Sequence, residues 1–145
     1  MPSYLVKKYI GLGIKNFCVG TIEQAKIIKT IDPAIRVVGS IAMHISKTKL
    51  EQNKNEYKQY FDAFVLDFGY NKDFVKIKGL PKEFEYMLLI NSRCNVFCDG
   101  DRHWWGDGFS HTCPGIAPNI DFSQSCLIRP MDLELFDPYI SVYKL

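Results

Sequence analysis

The feature that most constrains this chain is a rhythm. Between residues 16 and 92, short β-branched or apolar runs alternate with segments that open on helix-start signals. Asn16-Phe17-Cys18-Val19-Gly20 is such a run, and Thr21-Ile22-Glu23-Gln24 after it fits the box in which a hydroxyl caps the first turn of a helix. Ile22, Ala25, Ile28 and Ile31 then recur at helical spacing until Asp32-Pro33 stops them. Ile35-Arg36-Val37-Val38-Gly39-Ser40-Ile41 predicts a buried strand, and Thr48-Lys49-Leu50-Glu51 predicts a second capped helix with a thin apolar face, ending near Tyr60. Phe61-Asp62-Ala63-Phe64-Val65-Leu66-Asp67-Phe68 reads as the third strand. Asn71 is expected to cap a short helix through Val75 and Ile77, and Leu80-Pro81 leads to a fourth strand at about Phe84–Asn91.

Strands joined by helices that fill each connection are most simply parallel, with right-handed crossovers. Continuous apolar runs such as Met87-Leu88-Leu89-Ile90 suit a sheet covered on both faces. The expected class is therefore α/β with a parallel sheet. At 145 residues the chain is well short of the ~250 usual for a complete eight-stranded α/β barrel, so a barrel-like pattern here is a partial one. In such folds, functional groups gather beyond the carboxyl ends of the strands. Those ends present His44, Asp67, and the group Asn91, Ser92, Arg93 and Cys94. His44 alone reads more simply as a satisfied surface histidine.

A hydrophobic content of 47% with 23% charged residues supports a real core and argues against a disordered chain. The longest purely apolar stretch is Tyr86-Met87-Leu88-Leu89-Ile90, and the start Met-Pro-Ser-Tyr lacks the apolar core of an export signal, so the expectation is a soluble, cytoplasmic protein with no membrane partner. A net charge of +2 gives no general nucleic-acid-binding surface. The charge is unevenly spread, +7 over residues 1–82 and −5 over residues 83–145. Its simplest meaning is a lysine-rich solvated surface on the helices, and its sharper meaning an anion-binding face.

After about residue 92 the rhythm stops. Residues 93–138 hold four of the five cysteines and both tryptophans, which predicts an irregular, side-chain-organised segment rather than more sheet. The organisation expected is a partial α/β barrel over residues 1–92 and a cysteine-rich segment over 93–145 packed on the same domain. The cysteines run Cys94-x-x-x-Cys98, with Cys113 and Cys126 further on. Without an export signal they read less well as disulfides than as ligands, because thiolates suit iron–sulfur clusters and zinc. One close pair with two distant cysteines favours a cluster over zinc, which typically uses two close pairs; incidental cysteines are the third possibility. Cys18, inside a predicted strand, reads as a small buried hydrophobe. Between the ligand candidates, Asp99-Gly100-Asp101-Arg102-His103-Trp104-Trp105 is a mixture able to line a polar pocket, or to plug one end of the sheet.

The stretch Phe61-Asp62-Ala63-Phe64-Val65-Leu66-Asp67, together with Phe84-Glu85-Tyr86-Met87-Leu88-Leu89-Ile90-Asn91-Ser92-Arg93-Cys94, resembles the strand, helix, strand, cysteine-loop unit of the collagenase-like peptidase family of unassigned type, number thirty-two. The resemblance covers about residues 16–126 and rests on order and context. It implies a TIM-barrel-like fold, and a single iron–sulfur cluster held by Cys94, Cys98, Cys113 and Cys126 in a protein of peptidase or hydroxylation type. The first cysteine pair is closer than that family leads one to expect. Leu88 through Asp101 is also similar to the cluster loop of radical S-adenosylmethionine enzymes until its last position, where Asp101 stands in place of the third cysteine.

Two readings from different classes follow. In the first, a cluster sits at the carboxyl face, with Asp67, Asn91, Arg102 and His103 lining the adjacent pocket, Arg102 holding an anionic group and His103 moving a proton. In the second, the cysteines hold a structural zinc in a non-catalytic interaction protein. A partial barrel exposes sheet edges, so the expectation is that the chain pairs with a second copy or a partner chain, or that it is a fragment of a longer ancestor.

Overall fold

The computed structural model describes residues 1–71, 73–90 and 128–144. Asn91, Cys94, Cys98, Arg102, His103, Trp104, Trp105, Cys113 and Cys126 lie outside the described residues. The sheet has five strands: β1 Asn16–Val19, β2 Arg36–Gly39, β3 Ala63–Val65, β4 Glu85–Leu89 and β5 Val142–Lys144. Five α-helices accompany them: α1 Ser3–Gly11, α2 Ile22–Ile31, α3 Lys47–Gln52, α4 Lys54–Tyr60 and α5 Phe74–Lys78. All strand pairs are parallel, and the order is β1-β2-β3-β4-β5. Strands added in sequence order on one side give an arc of a singly wound barrel, whereas a doubly wound sheet reverses its order at a switch point.

Right-handed crossovers without reversal put the helices on one face. The core divides accordingly. Phe17 and Val19 of β1, Val37 of β2, Phe64 of β3, and Tyr86 and Leu88 of β4 share one cluster with Val6, Ala25, Ile28, Leu50, Tyr57 and Ile77 from the helices. Val38, Ala63, Val65 and Met87 point the other way and form a second cluster, with Ile41 and Leu89 against it. This second face corresponds to the interior of a barrel. At its amino end Arg36 and Glu85 form an ion pair at 2.5 Å, reaching past β3, which lies between their strands.

Aromatic packing centres on Phe64, which is fully buried with its ring centroid 5.0–5.5 Å from those of Phe61, Phe84 and Tyr57. Gly39 makes room for it. A Cβ there would lie 2.7 Å from Cε1 of the Phe64 ring, nearer still to its Cδ1, and 2.9 Å from the Met43 sulfur, inside any real contact distance.

Several local signals act as expected and others do not. Thr21 caps α2, its hydroxyl accepting from the Gln24 amide at 3.3 Å, and Gln24 Oε1 accepts from the Gly20 amide at 3.0 Å. The second helix is capped by Ser46, which accepts from the Lys49 amide, and not by Thr48; it breaks at Asn53, so two short helices stand where one was expected. Asp73, not Asn71, caps α5. Cys18 is exposed rather than buried, because β1 is an edge strand and Cys18 alternates with Phe17 and Val19 onto the face opposite the helices.

Beyond the expected four strands, a turn of 3-10 helix at Pro130–Leu135 leads into β5, which pairs with β4 through Met87↔Val142, Leu88↔Tyr143 and Leu89↔Lys144. Phe136 and Tyr139 pack edge-on against Phe74 of α5, at ring distances of 5.9 and 5.5 Å. Among the described residues, no helix is long and apolar enough to cross a membrane.

Candidate functional site

Because every strand runs the same way, the loops that leave β1, β2, β3 and β4 emerge along one edge of the sheet. The first two of them build a cleft. Gly20, Thr21, Ile22 and Glu23 follow β1, Ala42, Met43 and His44 follow β2, and Lys49 of α3 and Tyr57 of α4 close a space of about 310 Å³. Its shape depends on a short 3-10 turn, Ile41–Met43, which Ser40 caps through the Ala42 amide. His44 ends that turn with φ +45°, the left-handed region that a side chain other than glycine enters at a cost.

The cleft is electrostatically mixed. Lys49 Nζ donates to the Met43 carbonyl oxygen at 2.5 Å, which fixes the ammonium at the wall and leaves it further donors. Among the described residues no carboxylate lies within ion-pair distance of it. Glu23, on the opposite side, has its pKa lowered first by its own backbone amide and then by the Thr21 hydroxyl, both donors at the start of α2. A half-buried cation and an exposed anion thus face one small space.

Asp67 leaves β3 on the same edge, two residues beyond Val65. Its Oδ1 accepts from the Gly69 amide at 2.8 Å, which makes it the hinge of the turn to Tyr70. Burial pushes the Tyr70 hydroxyl up to about 12, the negative Asp67 adds to the rise, and a hydrogen bond from the Lys47 backbone opposes it.

Asn71 is the residue that sequence reasoning missed. It is buried, and its Nδ2 donates to the Leu89 carbonyl oxygen at 2.5 Å, fixing the last residue of β4. A polar residue six places after a strand gives no periodic signal of burial; only its position in a run of loop residues marks it, and that suggested a cap. Next to it, the Ile128 amide donates to the Ile90 carbonyl oxygen at 3.0 Å, and the Ile90 amide donates to the Lys144 carbonyl oxygen at 3.1 Å. The segment carrying Cys94, Cys98, Cys113 and Cys126 therefore leaves from and returns to one point at the carboxyl end of β4.

No protein-family model matches this chain, and no curated protein or solved structure matches it. Its chemistry is read from its own residues. Of the expected site residues, His44 and Asp67 fall on the carboxyl edge, and His44 is among the residues that line the cleft. Among the described residues, no group of three or more His, Cys, Asp or Glu is arranged to hold a metal ion.

Proposed function

We propose that this chain is an iron–sulfur-binding partial barrel, an enzyme of the collagenase-like peptidase or hydroxylation type, with Cys94, Cys98, Cys113 and Cys126 as the cluster ligands. The observation that supports this reading is the hydrogen bond between Ile128 and Ile90, which roots the four-cysteine segment at the carboxyl end of a parallel strand. In singly wound parallel sheets that edge is where reacting groups converge. The donor set fits the group, since four thiolates satisfy a cluster without a further protein ligand. When bound, a cluster would supply one-electron or Lewis-acid chemistry.

The residues of the chain divide the remaining work. Lys49 in the cleft offers an ammonium to an anionic part of a substrate, and Asp67 borders the same edge from β3. Arg102, His103 and Asn91 are the further candidates, Arg102 as a second anion contact and His103 as the proton carrier.

The test is an ultraviolet–visible spectrum with iron and zinc analysis on protein purified without oxygen. The expected result is broad absorption near ~400 nm with iron bound, lost in Cys94→Ser and Cys126→Ser. Colourless protein with one zinc would favour instead the structural-zinc reading, in which the closed thiolate site orders the segment and catalyses nothing. Metal-free protein would overturn both.

A further inference from the structure

Five of the nine exposed large hydrophobic side chains among the described residues lie within residues 1–14: Met1, Tyr4, Tyr9, Leu12 and Ile14. Scattered singly they would need no explanation, but these are gathered on one element and the turn that follows it. α1 buries Val6 completely and packs Ile10 against the core, one helical turn further on the same face. The opposite face carries Tyr4, Lys8 and Leu12, each four residues after the last. The Leu12 amide donates to the Lys8 carbonyl oxygen at 3.1 Å, which keeps Leu12 in line with the other two. Gly13, at φ +87°, then turns the chain, and Ile14 and Lys15 stand out in solvent before β1 begins. Tyr4 is 66% exposed and Leu12 69%, although the inner face of the same helix is a settled part of the core.

The same stretch is basic. Residues 1–22 contain Lys7, Lys8 and Lys15 and no Asp or Glu. All three lysines are exposed, and none forms an ion pair among the described residues. At the amino edge of the sheet, which the turn after α1 enters, Asp62 is paired with Lys29 and Glu85 with Arg36. Asp32, which accepts from the Ala34 amide, remains there as one negative charge against three positive ones. Size and charge together choose what such a surface meets. A standard protein interface takes about 20–30 residues from each side, and its core is poor in lysine. Here eight side chains are on offer, three of them lysines. An anionic bilayer sets no such minimum, because its field acts on every lysine within a Debye length, tyrosine suits headgroup depth and aliphatic side chains reach the acyl boundary.

We propose that α1 and the turn after it form a docking surface for an anionic phospholipid membrane, Tyr4, Leu12 and Ile14 entering the headgroup layer and Lys7, Lys8 and Lys15 lying against its phosphates. The expectation of no membrane partner rested on the lack of a crossing segment and of an export signal, and surface docking needs neither. Three lysines and a few shallow side chains make the contact weak and reversible, and make it depend on salt. The turn into β1 lies at the amino edge of the sheet and the cleft at the carboxyl edge, so the docked protein keeps its cleft open to water. No cysteine and no metal takes part, so this contact stands or falls apart from the function proposed above.

The test is cosedimentation of the full chain with phosphatidylcholine vesicles made with and without phosphatidylserine. The expected result is binding to the anionic vesicles that falls at least about tenfold when phosphatidylserine is left out, and that weakens as added salt shortens the reach of the charges. Lys7→Glu combined with Lys8→Glu lowers it at least about tenfold, and Leu12→Ser at least about threefold, each with an unchanged circular dichroism spectrum because the positions are exposed. Val75→Ser combined with Lys82→Glu changes the same chemistry elsewhere on the surface and leaves binding as in the wild type. Absence of binding, equal binding to both kinds of vesicle, or a loss no greater at α1 than at residues 75 and 82 would each overturn the proposal. So would a Leu12→Ser variant that binds like the wild type, since the contact would then be one of charge alone, open to any polyanion.

Discussion

At the scale of single residues, two positions carry more of the structure than their type suggests. Gly39 is needed because the Phe64 ring and the Met43 sulfur occupy the space a side chain would take. Both neighbours are buried, so neither moves cheaply. Gly39→Ala is expected to destabilise the protein by about 1–3 kcal/mol, the usual cost of overpacking a core. Urea denaturation measures it, and an unchanged midpoint would mean the Phe64 ring has room to turn. Asn71 is the second case. Its amide satisfies the Leu89 carbonyl at the end of β4, so Asn71→Leu, which keeps the branched shape of the side chain, is expected to cost about 1–3 kcal/mol by stranding a part-buried acceptor. If Asn71→Leu were neutral in the same assay, water or a backbone shift would be serving Leu89.

At the scale of elements, the helix starts are set by single oxygens, and one of them titrates. Asp73 caps α5 through the Lys76 amide at 2.9 Å; that bond first, and then the Lys76 side chain, hold its pKa below the usual carboxylate value. A lowered folded-state pKa means that the stabilisation is complete above the unfolded-state pKa and is lost as the pH falls through the folded value. Asp73→Ala should therefore cost about 0.5–2 kcal/mol at neutral pH and progressively less at acid pH, as the pH falls through the folded-state value of the native side chain. Denaturation at both pH values checks this; a cost that persists in acid would assign Asp73 a packing role. Caps also show what was legible in the sequence. Thr21 stands directly between an apolar run and a helical period, so its role could be read; Ser46 and Thr48 are both capping residue types two residues apart, and local sequence does not choose between them. The parallel order of four strands was readable because each connection is helical. β5 was not, since three residues gain a strand identity only from the edge of β4, far away in the chain. Cys18 shows the same limit: the pattern marks a strand, but which face and which edge it lies on depends on the finished sheet.

At the scale of the whole molecule, the position of β5 after the cysteine segment couples the fold to whatever that segment binds. Five short strands and five helices depend on one another, but β1 to β4 are joined by short helical connections, whereas β5 is reached only through residues 91–127. The entropy of closing a loop grows as (3/2)RT ln n, so an unconstrained segment of that length costs about 3 kcal/mol in this term alone. Four thiolates on one centre would divide it into smaller closed loops and remove much of that cost. The contacts opposing detachment of β5 are its ladder with β4, the Ile90–Lys144, Ile128–Ile90 and Ser141–Tyr86 backbone bonds, and the rings of Phe136 and Tyr139 on Phe74. The amides of Val142, Tyr143 and Lys144 are therefore expected to lose protection when the metal or cluster is removed, while Phe17, Val37 and Phe64 in β1 to β3 keep theirs. Hydrogen exchange on the loaded and stripped protein, read by mass spectrometry of the separate peptides, makes the comparison. Equal loss of protection in all five strands would mean that the sheet folds as one unit with the bound centre, and no loss anywhere would mean that the cysteines bear no weight in the fold.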